Sequence, residues 1–297
     1  MFTGCGTALV TPFREDSSLD EETLRCLIER QIEAGVDFLV PCGTTGESPT
    51  LSAAEHRRVV EITVEAAKGK VPVVAGAGGY NTAEVIELAR ALGALGVDGI
   101  LSVTPYYNKP SQEGLYQHYK AIAAAVKIPI IVYSVWSRTG INVLPATLTR
   151  LAEIDNIVGV KEASGNIGQV GKVINQTPDD FVVLSGDDAM TIPLLALGGQ
   201  GLISVAANEI PAEMRALVRA GLDGDFAKAR ELHHRYLPLM EVNFIESNPV
   251  PVKAAMGMMG LLKPVWRLPL VPPNGDHRKK IGQVLDKLNL KTEKHEC

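Results

Sequence analysis

The chain is poor in the features that announce whole classes of protein. Only 4 of its 297 residues are cysteine. Cys5, Cys26, Cys42 and Cys297 lie far apart, with no CxxC pair among them. That spacing signals neither a zinc ribbon nor a redox dithiol. A disulfide framework is not expected in a chain of this size, so reduced thiols are the simpler reading. The six histidines, His56, His118, His233, His234, His277 and His295, form no HxxxH or HxH pair beside carboxylates. Neither a bound catalytic metal nor a cofactor is therefore expected. No apolar run approaches the ~18 residues of a membrane span. The opening MFTGCGTALVTPF has no basic segment followed by a long apolar core, so no signal peptide and a cytoplasmic location are expected. Charge of one sign is also not concentrated: the formal net charge is -5 and no block of like charges occurs. That argues against a nucleic-acid or anionic-membrane partner and leaves small anionic substrates open.

What the chain does have is rhythm. Short apolar runs recur at Thr7 to Val10, Phe38 to Pro41, Val71 to Ala75, Ile100 to Val103, Ile128 to Tyr133, Ile157 to Val160, Phe181 to Leu184 and Leu202 to Val205. Amphipathic segments at helical spacing lie between them. Leu24, Leu27, Ile28 and Ile32 form one, with Asp20 as its expected N-cap and Gly35 as its stop; another begins at Asn81 or Thr82. Strand alternating with helix predicts a parallel sheet with right-handed crossovers. Eight units predict an α/β fold of the (β/α)8 TIM-barrel type over residues 1–224. A doubly wound open sheet is the competitor, but its dinucleotide form wants GxGxxG after the first strand, where this chain reads VTPF. After Gly224 the pattern becomes helical, with Asn248-Pro249 as a break, a proline-rich stretch from Pro264 to Pro273 and a last helix around Ile281 to Leu288. Residues 225–297 are expected to form a C-terminal helical appendage ending in a frayed TEKHEC tail.

In such a barrel the chemistry sits where strands end and βα loops begin. Lys161 follows the sixth apolar run directly, whereas Lys70 and Lys127 precede strands and belong to the opposite face. A lysine at a buried strand end either snorkels to water or loses its proton and becomes a nucleophile toward carbonyls. The other strand ends carry polar groups. The second runs into Gly43-Thr44-Thr45-Gly46-Glu47, able to hold a carboxylate with hydroxyls and backbone N–H groups, or simply an ordinary turn. The fourth ends in Tyr106-Tyr107, which also suits packing at a barrel rim, and the fifth in Tyr133, followed by Arg138. The seventh ends in Ser185-Gly186-Asp187-Asp188, a good helix cap. Gly198-Gly199 precedes the eighth strand, at the wrong end for phosphate. A lysine with phenols, hydroxyls and an arginine describes a Schiff-base lyase or aldolase acting on a keto acid.

The motifs GTTGES at 43–48, VTPYYNKPSQEGLYQHY at 103–119, SRTG at 137–140, GVKEASG at 159–165, LSGDD at 184–188 and GLISVAAN at 201–208 together resemble the dihydrodipicolinate synthase family. This is a branch of the pyruvate-lysine aldolases that also include N-acetylneuraminate lyase. The resemblance implies that Lys161 forms an imine with pyruvate, that Thr45 and the backbone of Ile203 hold the pyruvate portion, and that Gly186 is a further substrate-binding residue. It implies a proton relay of Tyr133, Thr44 and Tyr107, the last reaching in from a neighbouring subunit. Arg138 would receive the carboxylate of L-aspartate 4-semialdehyde. The product would be 4-hydroxy-2,3,4,5-tetrahydrodipicolinate, on the route to diaminopimelate and lysine, and the assembly a homotetramer built as a dimer of dimers. Lysine-inhibited relatives carry an allosteric site to which Ser48, Pro49, His56, Tyr80, Glu84 and Tyr106 correspond here.

Two departures stand out. Where the family usually reads Asn-Val-Pro after the strand tyrosine, this chain has Ser134-Val135-Trp136, which frees the backbone that proline would fix and leaves the aim of Arg138 open. Ala53 and Tyr80 replace a histidine and an asparagine of the lysine site, so weakened lysine inhibition is expected. A related pyruvate-dependent aldolase acting on another aldehyde, and a non-catalytic barrel that keeps the pyruvate pocket, are the alternatives.

Overall fold

Side chains alternate between the two faces of a strand, and here each face meets its own apolar cluster. In the strand Phe38–Val40, Phe38 and Val40 join a cluster inside the barrel with Ala8, Leu101, Ile131, Leu184 and Ile203, while Leu39 joins the larger cluster between strands and helices. Burial on both faces explains why the runs read as continuous apolar stretches.

The computed structural model describes residues 2–291. Among them, eight strands, β1 (Gly4–Ala8), β2 (Phe38–Val40), β3 (Val74–Gly76), β4 (Gly99–Val103), β5 (Ile130–Ser134), β6 (Ile157–Glu162), β7 (Val182–Ser185) and β8 (Gly201–Ser204), alternate with helices. The helices are α1 (Glu21–Glu33), α2 (Ala53–Ala67), α3 (Thr82–Ala94), α4 (Gln112–Ala125), α5 (Trp136–Thr139), α6 (Pro145–Leu151), α7 (Ile167–Gln176), α8 (Thr191–Ala196) and α9 (Pro211–Leu222). The strands pair in parallel in the order β2-β1-β8-β7-β6-β5-β4-β3. The ring closes between β2 and β3 through Leu39 N–H to the Pro72 carbonyl and Gly76 N–H to the Pro41 carbonyl, both at 2.9 Å. The fold is a TIM barrel.

Local chemistry sets the helix ends. The Asp20 carboxylate accepts from Thr23 N–H at 3.3 Å to cap α1, and the helix stops at Gly35, whose φ of 80° suits a residue without a Cβ. Asn81 caps α3, and Ser52 with Glu55 forms a reciprocal capping box at α2. Most strand ends differ from the apolar runs by one to three residues. The first run was expected at Thr7 to Val10, but ladder hydrogen bonds place β1 at Gly4–Ala8, because glycines next to Cys5 are invisible to an apolar count.

Three further helices, α10 (Phe226–Val242), α11 (Val250–Met258) and α12 (Gly275–Leu288), complete the described chain. Tyr236, Met240, Val252, Met256, Ile281 and Leu285 share one buried cluster with Cys5, Leu202, Met214 and Leu217 of the barrel. Cys5 and Cys42 are buried free thiols. Cys26 is disulfide-bonded, a departure from the expectation of reduced thiols throughout. The TEKHEC tail, with Cys297, lies outside the described residues. No helix among the described residues is long and apolar enough to cross a membrane.

Candidate active site

Lys161 does not follow its strand but lies within it, since β6 continues to Glu162. Its direction depends on a local irregularity. Ile130 pairs with Ile157, but the next residue, Ile131, pairs with Gly159, so β6 carries one extra residue. Ile157 and Val160, three positions apart, therefore both face the helices, and Lys161 turns into the barrel beside its partner Tyr133. Without the shift, simple alternation from Ile157 would send Lys161 outward. Gly159 allows the kink because a Cβ there would strike the Val182 backbone of β7.

The amine is buried and lies 4.4 Å from the Tyr133 ring centroid. Burial pushes its pKa down to about 8; the Asp188 carboxylate opposes this and the Arg138 guanidinium adds to it. Burial also pushes the Tyr133 phenol up, against the lowering influence of Arg138 and of the adjacent Thr44 side chain. Asp188 is itself buried at the end of β7. Its carboxylate accepts from Ser204 Oγ at 2.5 Å and from Val205 and Ala206 N–H at 3.1 Å, pinning the exit of β8.

Lys161 and Tyr133 face a cavity of about 360 Å³ whose wall includes Thr44, Thr45, Arg138, Gly186, Val205 and Asn248. That volume suits a small organic substrate. The structure thus brings Lys161, Tyr133, Thr44, Thr45, Arg138 and Gly186 together. Gly186 contributes space: a Cβ there would lie 2.7 Å from Ala163 Cβ and 3.1 Å from Lys161 Cε. Ile203 is buried on β8, with its side chain in the interior cluster rather than in the cavity wall. Tyr107 is 89% exposed, with a left-handed φ of 64°, and takes no part in the wall. Arg138, on α5, donates from Nη2 to the Asn248 carbonyl at 3.2 Å. Trp136 is 58% exposed and outside the wall, whereas Ser134 is buried and donates to Asn142 Oδ1 at 3.2 Å.

A second cavity of about 230 Å³ adjoins the first and shares Gly43, Thr44, Leu101 and Tyr133 with it. Ser48, Pro49, His56 and Tyr106 line it. Tyr80 packs edge-on against Tyr106 at 5.1 Å between centroids, and Glu84 accepts from Asn81 nearby. The six residues expected at an allosteric site therefore divide into four in the wall and two beside it.

Sequence reasoning missed the contribution of the C-terminal segment. Phe244, Ser247 and Asn248 close the cavity, and Asn248 Nδ2 donates to Thr45 Oγ1 at 2.9 Å. The only local signal was the Asn248-Pro249 break itself.

The chain matches the Dihydrodipicolinate synthetase family over residues 1–288. It is 56% identical over 282 residues to the 4-hydroxy-tetrahydrodipicolinate synthase of Koribacter versatilis, covering 95% of this chain and 94% of that one. It is 52% identical over 289 residues to the enzyme of the same name from Chloroherpeton thalassium, covering 97% and 96%. The crystal structure of dihydrodipicolinate synthase from Aquifex aeolicus superimposes with a TM-score of 0.97 at 45% identity, covering 99% of this chain and 100% of that one. With motifs, fold and a lysine-bearing cavity in agreement along its length, the chain belongs to the dihydrodipicolinate synthetase family.

Proposed function

We propose that Lys161 is the nucleophile of a 4-hydroxy-tetrahydrodipicolinate synthase, joining pyruvate to L-aspartate 4-semialdehyde in lysine and diaminopimelate biosynthesis. The observation that supports this role best is a buried amine, lowered in pKa to about 8, facing a cavity beside a phenol. The neutral amine adds to the ketone carbon of pyruvate; a proton delivered to the resulting hydroxyl lets it leave as water, and an iminium remains. That cation draws electrons from the adjacent methyl carbon, which gives up a proton to become an enamine and attacks the aldehyde. The amino group of the semialdehyde portion then adds to the iminium carbon, closing the ring and releasing Lys161.

Tyr133 and Thr44 move protons through these steps, since both border the cavity. Thr45, Gly186 and the backbone of Ile203 seat the pyruvate portion. Arg138 lines the same cavity and offers a planar pair of donors to the semialdehyde carboxylate. Tyr107, too exposed to serve its own site, completes the relay of a neighbouring subunit in a homotetramer built as a dimer of dimers. Residues 1–224 form the catalytic barrel and residues 225–297 an accessory helical unit, and the enzyme works in the cytoplasm.

Borohydride reduction in the presence of pyruvate, followed by peptide mapping, tests the reading. The expected result is one reduced pyruvyl adduct on Lys161. An adduct on another lysine, with full activity in Lys161→Ala, overturns it.

A further inference from the structure

Thr44 and Thr45 sit on a turn that the backbone does not favour. Cys42 and Glu47, which bracket it, have φ angles of 55° and 52°, in the left-handed region that side chains with a Cβ seldom enter. Such a conformation persists only where the surroundings over-determine it.

The surroundings here come from the far end of the chain. Lys253, on α11, is wholly buried, and its Nζ donates to Glu47 Oε1 at 2.6 Å and to the Thr11 carbonyl at 3.0 Å. The same ammonium lies 4.4 Å from the Phe13 ring centroid. Two acceptors and one aromatic face occupy the three donor directions of a lysine. Thr11 Oγ1 in turn donates to the Gly46 carbonyl at 2.7 Å, and Glu47 N–H donates to the Thr44 carbonyl at 3.1 Å. One cation therefore grips the turn by its side chain and, through Thr11, by its backbone.

A buried ion pair is a poor source of net stability, because desolvating two charges offsets their attraction. It is a good source of fixed geometry. We infer that Lys253 and Glu47 are a positioning pair that holds Thr44 and Thr45 in register with Lys161, so that the C-terminal helices set the affinity for the keto acid. This inference rests on the Schiff-base reading above.

The test uses the full-length enzyme and the variants Lys253→Met, Glu47→Gln and the double variant. Each is assayed for melting temperature, for the pyruvate concentration that half-saturates borohydride trapping, and for the KM of the semialdehyde. Both single variants are expected to raise half-saturating pyruvate about tenfold or more, with the semialdehyde KM changed less than about twofold. The double variant should be no worse than the weaker-binding single, as expected of residues acting as a unit. A variant that melts earlier yet keeps the parental pyruvate dependence overturns the inference, because a purely structural brace does exactly that; so does a double variant whose loss is the product of the singles. If Lys253→Met does not fold, Glu47→Gln, which conserves volume while removing the charge and one of the two acceptor oxygens, decides by the same measure. Trapping of the parental enzyme is measured first. Its failure removes the Schiff-base reading, whereas normal parental trapping with unshifted variants removes only the positioning role.

Discussion

Tyr133 and Lys161 are direct partners across the ladder between β5 and β6, and the amine lies 4.4 Å from the centre of the phenol ring. Tyr133 turns inward by simple alternation from Ile131, and Lys161 meets it there because β6 carries one extra residue before it. Replacing Tyr133 by phenylalanine keeps the ring against the amine and removes only the hydroxyl. The expected result is a fall in kcat of about 10²–10⁴, typical of a lost proton-transfer group, with pyruvate trapping at Lys161 slowed but retained. Stopped-flow turnover beside mass-spectrometric trapping checks this, and parental kcat would remove Tyr133 from the relay.

The amine sets a pH dependence. Only its neutral form adds to a ketone, and burial brings its pKa down to about 8 from the about 10.4 of an ordinary lysine. The rate of pyruvate trapping should therefore rise with pH and level off above an apparent midpoint near 8. A rate still climbing tenfold per pH unit beyond about pH 9.5 would contradict the desolvated amine.

Gly186 offers a steric test. A methyl group there would press on Lys161 Cε and Ala163 Cβ. Gly186→Ala is expected to slow adduct formation by about 10²-fold through a displacement of the amine, with a much smaller effect on folding. Single-turnover trapping and thermal melting, read together, check it.

Away from the cavity, Glu209 is wholly buried just after the short turn Ala206–Asn208 that follows β8, and burial pushes its carboxyl well above the usual range. Asn243 Nδ2 donates to Glu209 Oε2 at 2.5 Å, while Glu209 Oε1 and Asn243 Oδ1 have no partner. Burial therefore favours the protonated acid. The folded state then binds a proton more tightly than the unfolded chain, so this contribution is full below the unfolded value of about 4.3 and is lost as pH rises toward the folded one. Glu209→Gln supplies the same donor at every pH. Urea unfolding should show the variant gaining on the parent between pH 5 and pH 8; a parent that gains on the variant would contradict the neutral acid.

The second cavity bears on feedback. Tyr80 fills the space beside Tyr106, and Ala53 offers no polar group at the first position of α2. Weak inhibition by L-lysine is expected, and Ala53→His with Tyr80→Asn should strengthen it. Turnover against added lysine measures both, and strong inhibition of the parental enzyme at low lysine would refute the expectation.

Much of this was legible in the sequence, for a physical reason. Strands buried on both faces must read as unbroken apolar runs, and caps such as Asp20 and Asn81 act on residues two or three positions away. The end of each run also locates the productive rim, which singled out Lys161. Its inward direction was not legible, because the extra residue in β6 is defined by the partner strand. Asn248 and Lys253 escaped notice for the same reason: their partners Thr45 and Glu47 lie 203 and 206 positions earlier. Tyr107, though named by motif, lies outside its own cavity.

The bond from Asn248 to Thr45 also fixes the order in which the enzyme comes to exist. A chain emerging from the ribosome exposes Lys161 when little more than half has been made, but the cavity lacks part of its wall until the segment after the third-last helix arrives. A fragment stopped short of that segment would carry Lys161 in an unclosed bowl.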